Sequence, residues 1–265
     1  MPHADGITFS FGENWQSFLK HVSKEAIEMA LADTREWIPD VAGRSVIDVG
    51  CGSGLSSLAF HLRGAKPIVS FDVDPRSVAA TRSIRARAGD PPDWQVLDGS
   101  ALDAAFLTAF AERFDIVYSW GVLHHTGAMW SAIANVCRLV KPGGLLWIAL
   151  YAKGPLYPRH LALKQAYNRA GRFGKWYIER KHIWWYMKQR MRSGRNPFTW
   201  NQRRVRGMDI WHDILDWLGG LPYEVATVPE VEAFMQERGF LTRKVLPSDE
   251  GGNHIFLFQR RDEGT

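Results

Sequence analysis

Residues 46–54 read VIDVGCGSG, with glycines at alternate positions directly after a run of β-formers. Such a turn lets a nucleotide lie against the backbone at the end of a strand. Two carboxylates accompany it: Asp48 stands two residues before Gly50, and Asp72 ends a second β-type run, PIVSFD. The dinucleotide fingerprint is G-x-G-x-x-G. Here Gly50, Gly52 and Gly54 give G-x-G-x-G, and Leu55 stands where the third glycine should be.

Asp48 separates the candidate ligands. A pyrophosphate is bound by bare amides and the positive end of a helix, and a carboxylate at this position would oppose it. S-adenosylmethionine has no phosphate and carries an ammonium and a sulfonium, which Asp48 suits. Asp72 is placed to accept both ribose hydroxyls, a feature common to NAD and S-adenosylmethionine. As purely structural residues, Asp48 would cap a turn and Asp72 would N-cap the following helix.

The elements that must position these groups alternate. Strands are expected at 45–49, 67–72, 94–97, 114–120 and 145–151, with helices at 54–63, 75–88, 103–111 and 128–140 between them. Such alternation implies parallel strands, right-handed crossovers and helices on both faces. After a long interruption, PEVEAFMQERGF at 229–240 predicts an amphipathic helix, and LTRKVL and NHIFLFQR predict an antiparallel hairpin at one edge. The fold class is α/β, a Rossmann-like doubly wound sheet of seven strands. Four regions are expected: an N-terminal helical cap at 1–43, a cofactor-binding core at 44–151, a helical lid at 152–226, and a closing helix and hairpin at 227–265.

VIDVGCGSG, SFDVD, LDGSALD, FDIVYSWGVLHHTG and LVKPGG resemble, in order, the motifs of class I S-adenosylmethionine-dependent methyltransferases. The resemblance covers roughly residues 44–151 and the closing helix and hairpin. The flanks FSFGENW and RGMDIWHDILDWLGGLPYEV resemble a bacterial subgroup often labelled ubiquinone-type methylases. Carried over by position, Gly50, Cys51, Gly52 and Gly54 would pass under the methionine part and Asp48 would help hold its amine. Asp72 would bind the ribose, and Val73, Ser100, Ala101 and Trp120 would complete the cofactor site. Ser100 stands where many relatives have an Asp for the adenine amine; its hydroxyl can still accept.

Methyl transfer is an in-line displacement at an activated carbon. The enzyme must align the nucleophile and, for a hydroxyl, remove its proton. Neither a metal nor a covalent intermediate is required. His124 and His125 follow the fourth strand; His124 is expected to pack, while His125 is a candidate base. Tyr151, leaving the fifth strand, is a second pocket candidate. His212 and Asp213 in WHDILDW form a third, although adjacent side chains on a helix diverge. Trp211, Leu215 and Leu218 fall at helical spacing, so packing accounts for part of that segment. His254 and Asn253 are expected to be structural.

The 265-residue chain can bury a full core, and its two cysteines suggest neither a disulfide framework nor a metal cluster. No run is apolar and long enough to span a bilayer, and no apolar leader is seen, so a cytoplasmic protein is expected. The net charge of +5 hides a division. Residues 151–206 hold fifteen Lys and Arg against one acid, Glu179, a net +14; the remainder holds 18 bases and 27 acids, a net −9. The same segment carries Trp176, Tyr177, Trp184, Trp185, Tyr186 and Trp200. Base and aromatic together suit an anionic small molecule, an acidic carrier, a membrane surface or nucleic acid. Arg203 and Arg204, with Trp211 and with Trp15 from the N-terminal segment, are the candidate acceptor-binding residues. The first expectation is O-methylation of a small anionic or aromatic acceptor. The alternatives are nucleic-acid methylation, C-methylation of a prenyl diphosphate or quinone-type substrate, and a cofactor-binding regulator without turnover. Oligomeric state is not legible.

Overall fold

The computed structural model describes residues 24–199 and 210–262. Trp15, with Phe11 and Phe18 beside it, and Trp200, Arg203, Arg204 and Arg206 lie outside the described residues.

Seven strands form one sheet: β1 (Val46–Val49), β2 (Ile68–Asp72), β3 (Trp94–Asp98), β4 (Phe114–Trp120), β5 (Val140–Tyr151), β6 (Phe240–Leu246) and β7 (Asn253–Arg260). Their order is β3-β2-β1-β4-β5-β7-β6. The first five are parallel, and β7 enters antiparallel between β5 and β6. Helices α1 (Lys24–Trp37), α2 (Leu55–Leu62), α3 (Pro75–Arg87), α4 (Ala104–Thr108) and α5 (Met129–Cys137) precede β5. Helices α6 (Tyr157–Arg169), α7 (Arg172–Arg192), α8 (Ile210–Gly219) and α9 (Val228–Gln236) lie between β5 and β6.

The parallel strands β1 and β2 read as near-continuous apolar runs because both faces of the sheet are covered. Two large buried clusters result, one around Val69, Ile133, Leu146 and Phe256, the other around Phe60, Ile68, Trp94 and Trp147. A third, smaller cluster holds the insertion together. It contains Tyr167, Ile183, Ile210, Ile214 and Leu218 from α6, α7 and α8.

Local chemistry sets several boundaries. Asp74, rather than Asp72, caps α3, accepting from the Arg76 amide at 2.8 Å with Pro75 in the first turn. Thr227 and Glu230 close a capping box on α9, with Pro229 beside it. Strand β5 begins five residues earlier than expected, at Val140. The KPGG stretch lies within it, and the pairing with β4 shifts register between Phe114 and Ile116. Gly143, at φ +72°, absorbs the irregularity. On α8 the buried apolar side chains are Ile210, Ile214 and Leu218, spaced by four, with His212 buried beside them and Trp211 and Leu215 only partly buried.

Candidate active site

The glycine loop joins β1 to α2. The amides of Gly50 and Cys51 both donate to the Phe71 carbonyl, which folds the loop back against β2. Gly50 has φ +75°, and a Cβ there would lie 2.4–2.5 Å from the methyls of Val122. At Gly54, φ +79°, a Cβ would meet Thr81 at 2.9 Å. Both positions therefore demand glycine twice over, for backbone sign and for space. Thr81 Oγ1 donates to the Gly52 carbonyl and to Cys51 Sγ, so Cys51 is a packed thiol; burial pushes its pKa well up.

Asp48 is buried in β1, and its Oδ2 accepts from Ser57 Oγ at 2.5 Å. Asp72 ends β2. Its Oδ2 accepts from the Gly52 amide at 3.0 Å and its Oδ1 from the Asp74 amide at 2.9 Å. Burial raises its carboxyl above the usual range, opposed by those amides. Both oxygens are thereby oriented, with lone pairs remaining for a diol. Next to it Val73 is 75% exposed, an apolar side chain at the strand end suited to a flat base. Ser100 Oγ accepts from the Leu102 amide at 3.1 Å, and Ala101 is buried with its carbonyl taken by Asn135 Nδ2. Trp120 ends β4 half-buried, stacked at 6.4 Å on Tyr118. A loop of amides and one buried carboxylate, an oriented second carboxylate, and an exposed apolar residue fit a nucleoside carrying a cationic amino-acid tail.

On the other side of the β4 end, the turn Leu123–His125 brings two histidines under the insertion. His124 is fully buried. Its Nδ1 accepts from the Tyr151 amide at 3.1 Å and its ring packs 4.0 Å from the Tyr151 ring, which makes it a structural residue. His125 Nδ1 lies 2.7 Å from the Pro222 carbonyl oxygen. A carbonyl can only accept, so Nδ1 carries the proton and Nε2 carries the lone pair. Burial, with Lys164 nearby, lowers its pKa to about 3, and the imidazole is neutral. A Cβ at Gly220 would lie 2.5 Å from His125 Cε1 and 3.0 Å from Nε2, so glycine there leaves the ring its room.

Tyr151 is buried, and burial holds its phenol protonated well above the ordinary pKa. Its ring meets Tyr223 at 5.1 Å, and Tyr223 stacks on Tyr157 at 5.5 Å. Lys164, from α6, reaches into this group. Its ammonium lies 4.5 Å from the ring centroids of Trp217 and Tyr223 and 5.2 Å from that of Tyr151, and it donates to the Trp217 carbonyl. Among the described residues no carboxylate stands within ion-pair distance of it. Burial lowers its pKa to about 7, with Asp216 pulling the other way. Sequence reading passed over Lys164 and Tyr223. Lys164 is one of fifteen bases in its segment, and the only local signal is that it falls on the buried face with Tyr167, three residues on.

His212 and Asp213 do not share a side of α8: His212 is buried and Asp213 exposed. Trp211 packs partly buried against the third cluster. His254 Nδ1 accepts from the Ser248 amide at the start of β7, a structural contact.

Residues 47–148 match the family model described as a methyltransferase domain. The ubiquinone biosynthesis O-methyltransferase of Methylobacterium sp. (strain 4-46) is 31% identical over 109 residues, 41% of this chain and 41% of that protein. Its counterpart in Azotobacter vinelandii is 33% identical over 122 residues, 45% of this chain and 50% of that protein. The match thus spans about half the length of these relatives or less. Among solved structures, magnesium protoporphyrin IX methyltransferase from Synechocystis PCC 6803 with bound SAH has a TM-score of 0.57 at 12% identity, covering 95% of each chain. An O-methyltransferase family protein from Burkholderia thailandensis has a TM-score of 0.58 at 15% identity, covering 94% of this chain and 60% of that one. The glycine loop, the two carboxylates and the β3-β2-β1-β4-β5-β7-β6 sheet thus accompany a match to a methyltransferase domain at residues 47–148, and the loop and carboxylates fit S-adenosylmethionine as the methyl donor.

Proposed function

We propose that this protein transfers a methyl group to a hydroxyl oxygen of a small acceptor that is anionic or aromatic. The observation that carries the reading is the grouping of His125, Tyr151, Tyr223 and Lys164 at the ends of β4 and β5, beneath α6 and α8. Relatives named for O-methylation in ubiquinone biosynthesis favour a phenolic oxygen.

When bound, S-adenosylmethionine supplies an electrophilic methyl carbon, so the protein has only to hold, orient and deprotonate. Asp48 and the glycine loop hold the amino-acid end, Asp72 the ribose hydroxyls, and Val73 and Ser100 the base. A negative charge on the bound acceptor would raise the His125 imidazole from its low value towards the working range, so that Nε2 takes the acceptor's proton while the Pro222 carbonyl fixes the tautomer through Nδ1. Tyr151, Tyr223 and Trp217 offer aromatic walls, and the Lys164 ammonium supplies the counter-charge for an acceptor anion. The helical segment over this group acts as a lid.

The test is labelled S-adenosylmethionine with a panel of catechols, hydroxybenzoates, simple phenols and prenyl diphosphates. Methylation of a phenolic or carboxylated member is expected. His125→Ala should lower its turnover by about two to four orders of magnitude, the usual weight of a general base, with cofactor affinity unchanged. Full activity in that variant refutes the assignment of the base, and transfer to none but the diphosphates refutes O-methylation.

A further inference from the structure

The long helix α7 carries an unusual exposed face. Phe173, Tyr177, Trp184 and Met191 recur at intervals of four, seven and seven, which places them along one side of the helix at about 100° per residue. All four are exposed: Phe173 by 88%, Tyr177 by 63% and Trp184 by 59%. Trp176 and Trp185 flank them half-exposed, and Phe198, six residues beyond the helix, is 83% exposed. The opposite side is different. Ile183 is buried, and Ile178, Tyr186 and Met187 pack against the third cluster. Large aromatics left in water in this number mark an interaction surface.

The charge around the stripe identifies the partner. Helix α7 holds seven bases, Arg172, Lys175, Arg180, Lys181, Lys188, Arg190 and Arg192. Its one acid, Glu179, is engaged inward by the Tyr167 hydroxyl at 2.7 Å. Arg180, Lys181 and Lys188 fall beside the aromatic stripe on the wheel. No helix among the described residues is long and apolar enough to cross a membrane. An amphipathic helix with Trp, Phe and Met on one strip and Lys and Arg beside it suits the boundary of an anionic bilayer, rings at headgroup depth and long basic stems reaching phosphates. The residues outside 151–206 carry a net −9, so repulsion from such a surface would turn the basic insertion, and α7 with it, towards the membrane.

We propose that the exposed face of α7 docks this protein on the surface of an anionic phospholipid membrane, with the helix lying in the interfacial plane. The surface differs from the methyl-transfer site, and the inference stands independently of the acceptor. A base-stacking partner is less well served, because the stripe lies on the open side of a single helix and includes Met191, whereas single-stranded nucleic acid is gripped in a groove.

The experiment is co-sedimentation of the full chain with phosphatidylcholine vesicles, with and without phosphatidylglycerol. Calorimetric S-adenosylmethionine affinity, measured on the same preparations, reports the fold and the cofactor site separately. Binding is expected only with phosphatidylglycerol. The triple variant Phe173→Ser/Trp184→Ser/Met191→Ser and the pair Lys181→Glu/Lys188→Glu should each weaken it by about tenfold or more while cofactor affinity holds. If the triple variant loses cofactor binding and so has not folded, the charge-reversal pair decides. The proposal is overturned by failure to sediment with phosphatidylglycerol vesicles, by equal binding to phosphatidylcholine alone, or by undiminished binding in the folded variants. Tighter, aromatic-dependent binding of a single-stranded RNA homopolymer would overturn it in favour of nucleic acid.

Discussion

The ammonium of Lys164 lies 5.2 Å from the ring centroid of Tyr151, so a lysine of helix α6 closes onto the residue that ends strand β5. Removing a charge from water costs more than one hydrogen bond and three aromatic faces return. The lysine is thus kept at the expense of stability, a pattern expected where a buried charge has a ligand to meet.

Lys164→Met should separate these two roles. The lysine pKa is 10.5 when unperturbed and about 7 in the folded protein. Its folded form is therefore penalised fully below pH 7, and the penalty disappears as pH rises above 10.5. The Met variant should be more stable by a few kcal/mol at pH 6, with the gain shrinking at alkaline pH, as read by denaturant midpoints. Acceptor KM should rise at least tenfold with cofactor affinity intact. Lower stability at pH 6 would mean that the aromatic contacts outweigh desolvation.

Acid should unfold this protein sooner than its surface charges alone would. Burial lowers His125 from 6.5 to about 3 and His182 from 6.5 to about 4, and it lowers His124 as well. Each prefers the neutral form when folded, so its stabilisation is full above pH 6.5 and is lost as pH falls through the folded values. A thermal melt series should fall steeply between pH 6 and pH 4, by several kcal/mol in total. Replacing His182 with Gln should flatten part of that slope.

Asp72→Ala should weaken S-adenosylmethionine binding by about 1–3 kcal/mol, the range for losing a charged hydrogen-bond partner. Asp74 still caps α3, so far-UV circular dichroism should not change. Calorimetry should also show no tight NAD binding to the parent protein, because Asp48 stands where a pyrophosphate would be repelled. Tight NAD binding without S-adenosylmethionine binding would reverse the assignment of the loop.

Gly50→Ala should abolish cofactor binding. The new methyl would sit 2.4–2.5 Å from Val122, at a φ that disfavours any side chain. Adding Val122→Gly should restore binding in part, since it removes the two methyls and the Cβ that the new methyl would meet and leaves the backbone cost of about 1–2 kcal/mol. No recovery in the double variant would mean that backbone strain dominates.

How much was legible in the sequence follows from the range of each interaction. The glycine spacing, the carboxylates at Asp48 and Asp72, the parallel strands and the closing hairpin are written in local residue types. Backbone sign, strand alternation and turn chemistry act over a few positions, so a linear reading reaches them. The unequal charge of the insertion is likewise a property of composition. Burial is not local. His125 meets Pro222 across 97 positions, and Lys164 meets Trp217 across 53. Only Tyr167, three residues on, sets Lys164 apart in the chain from the bases around it. The packing of α6 against α8 and the end of β5 decides that this lysine is buried while Lys181 and Lys188 face water. The same packing divides His124 from His125, since which ring is bonded to Tyr151 and which to Pro222 depends on where two distant segments come to rest.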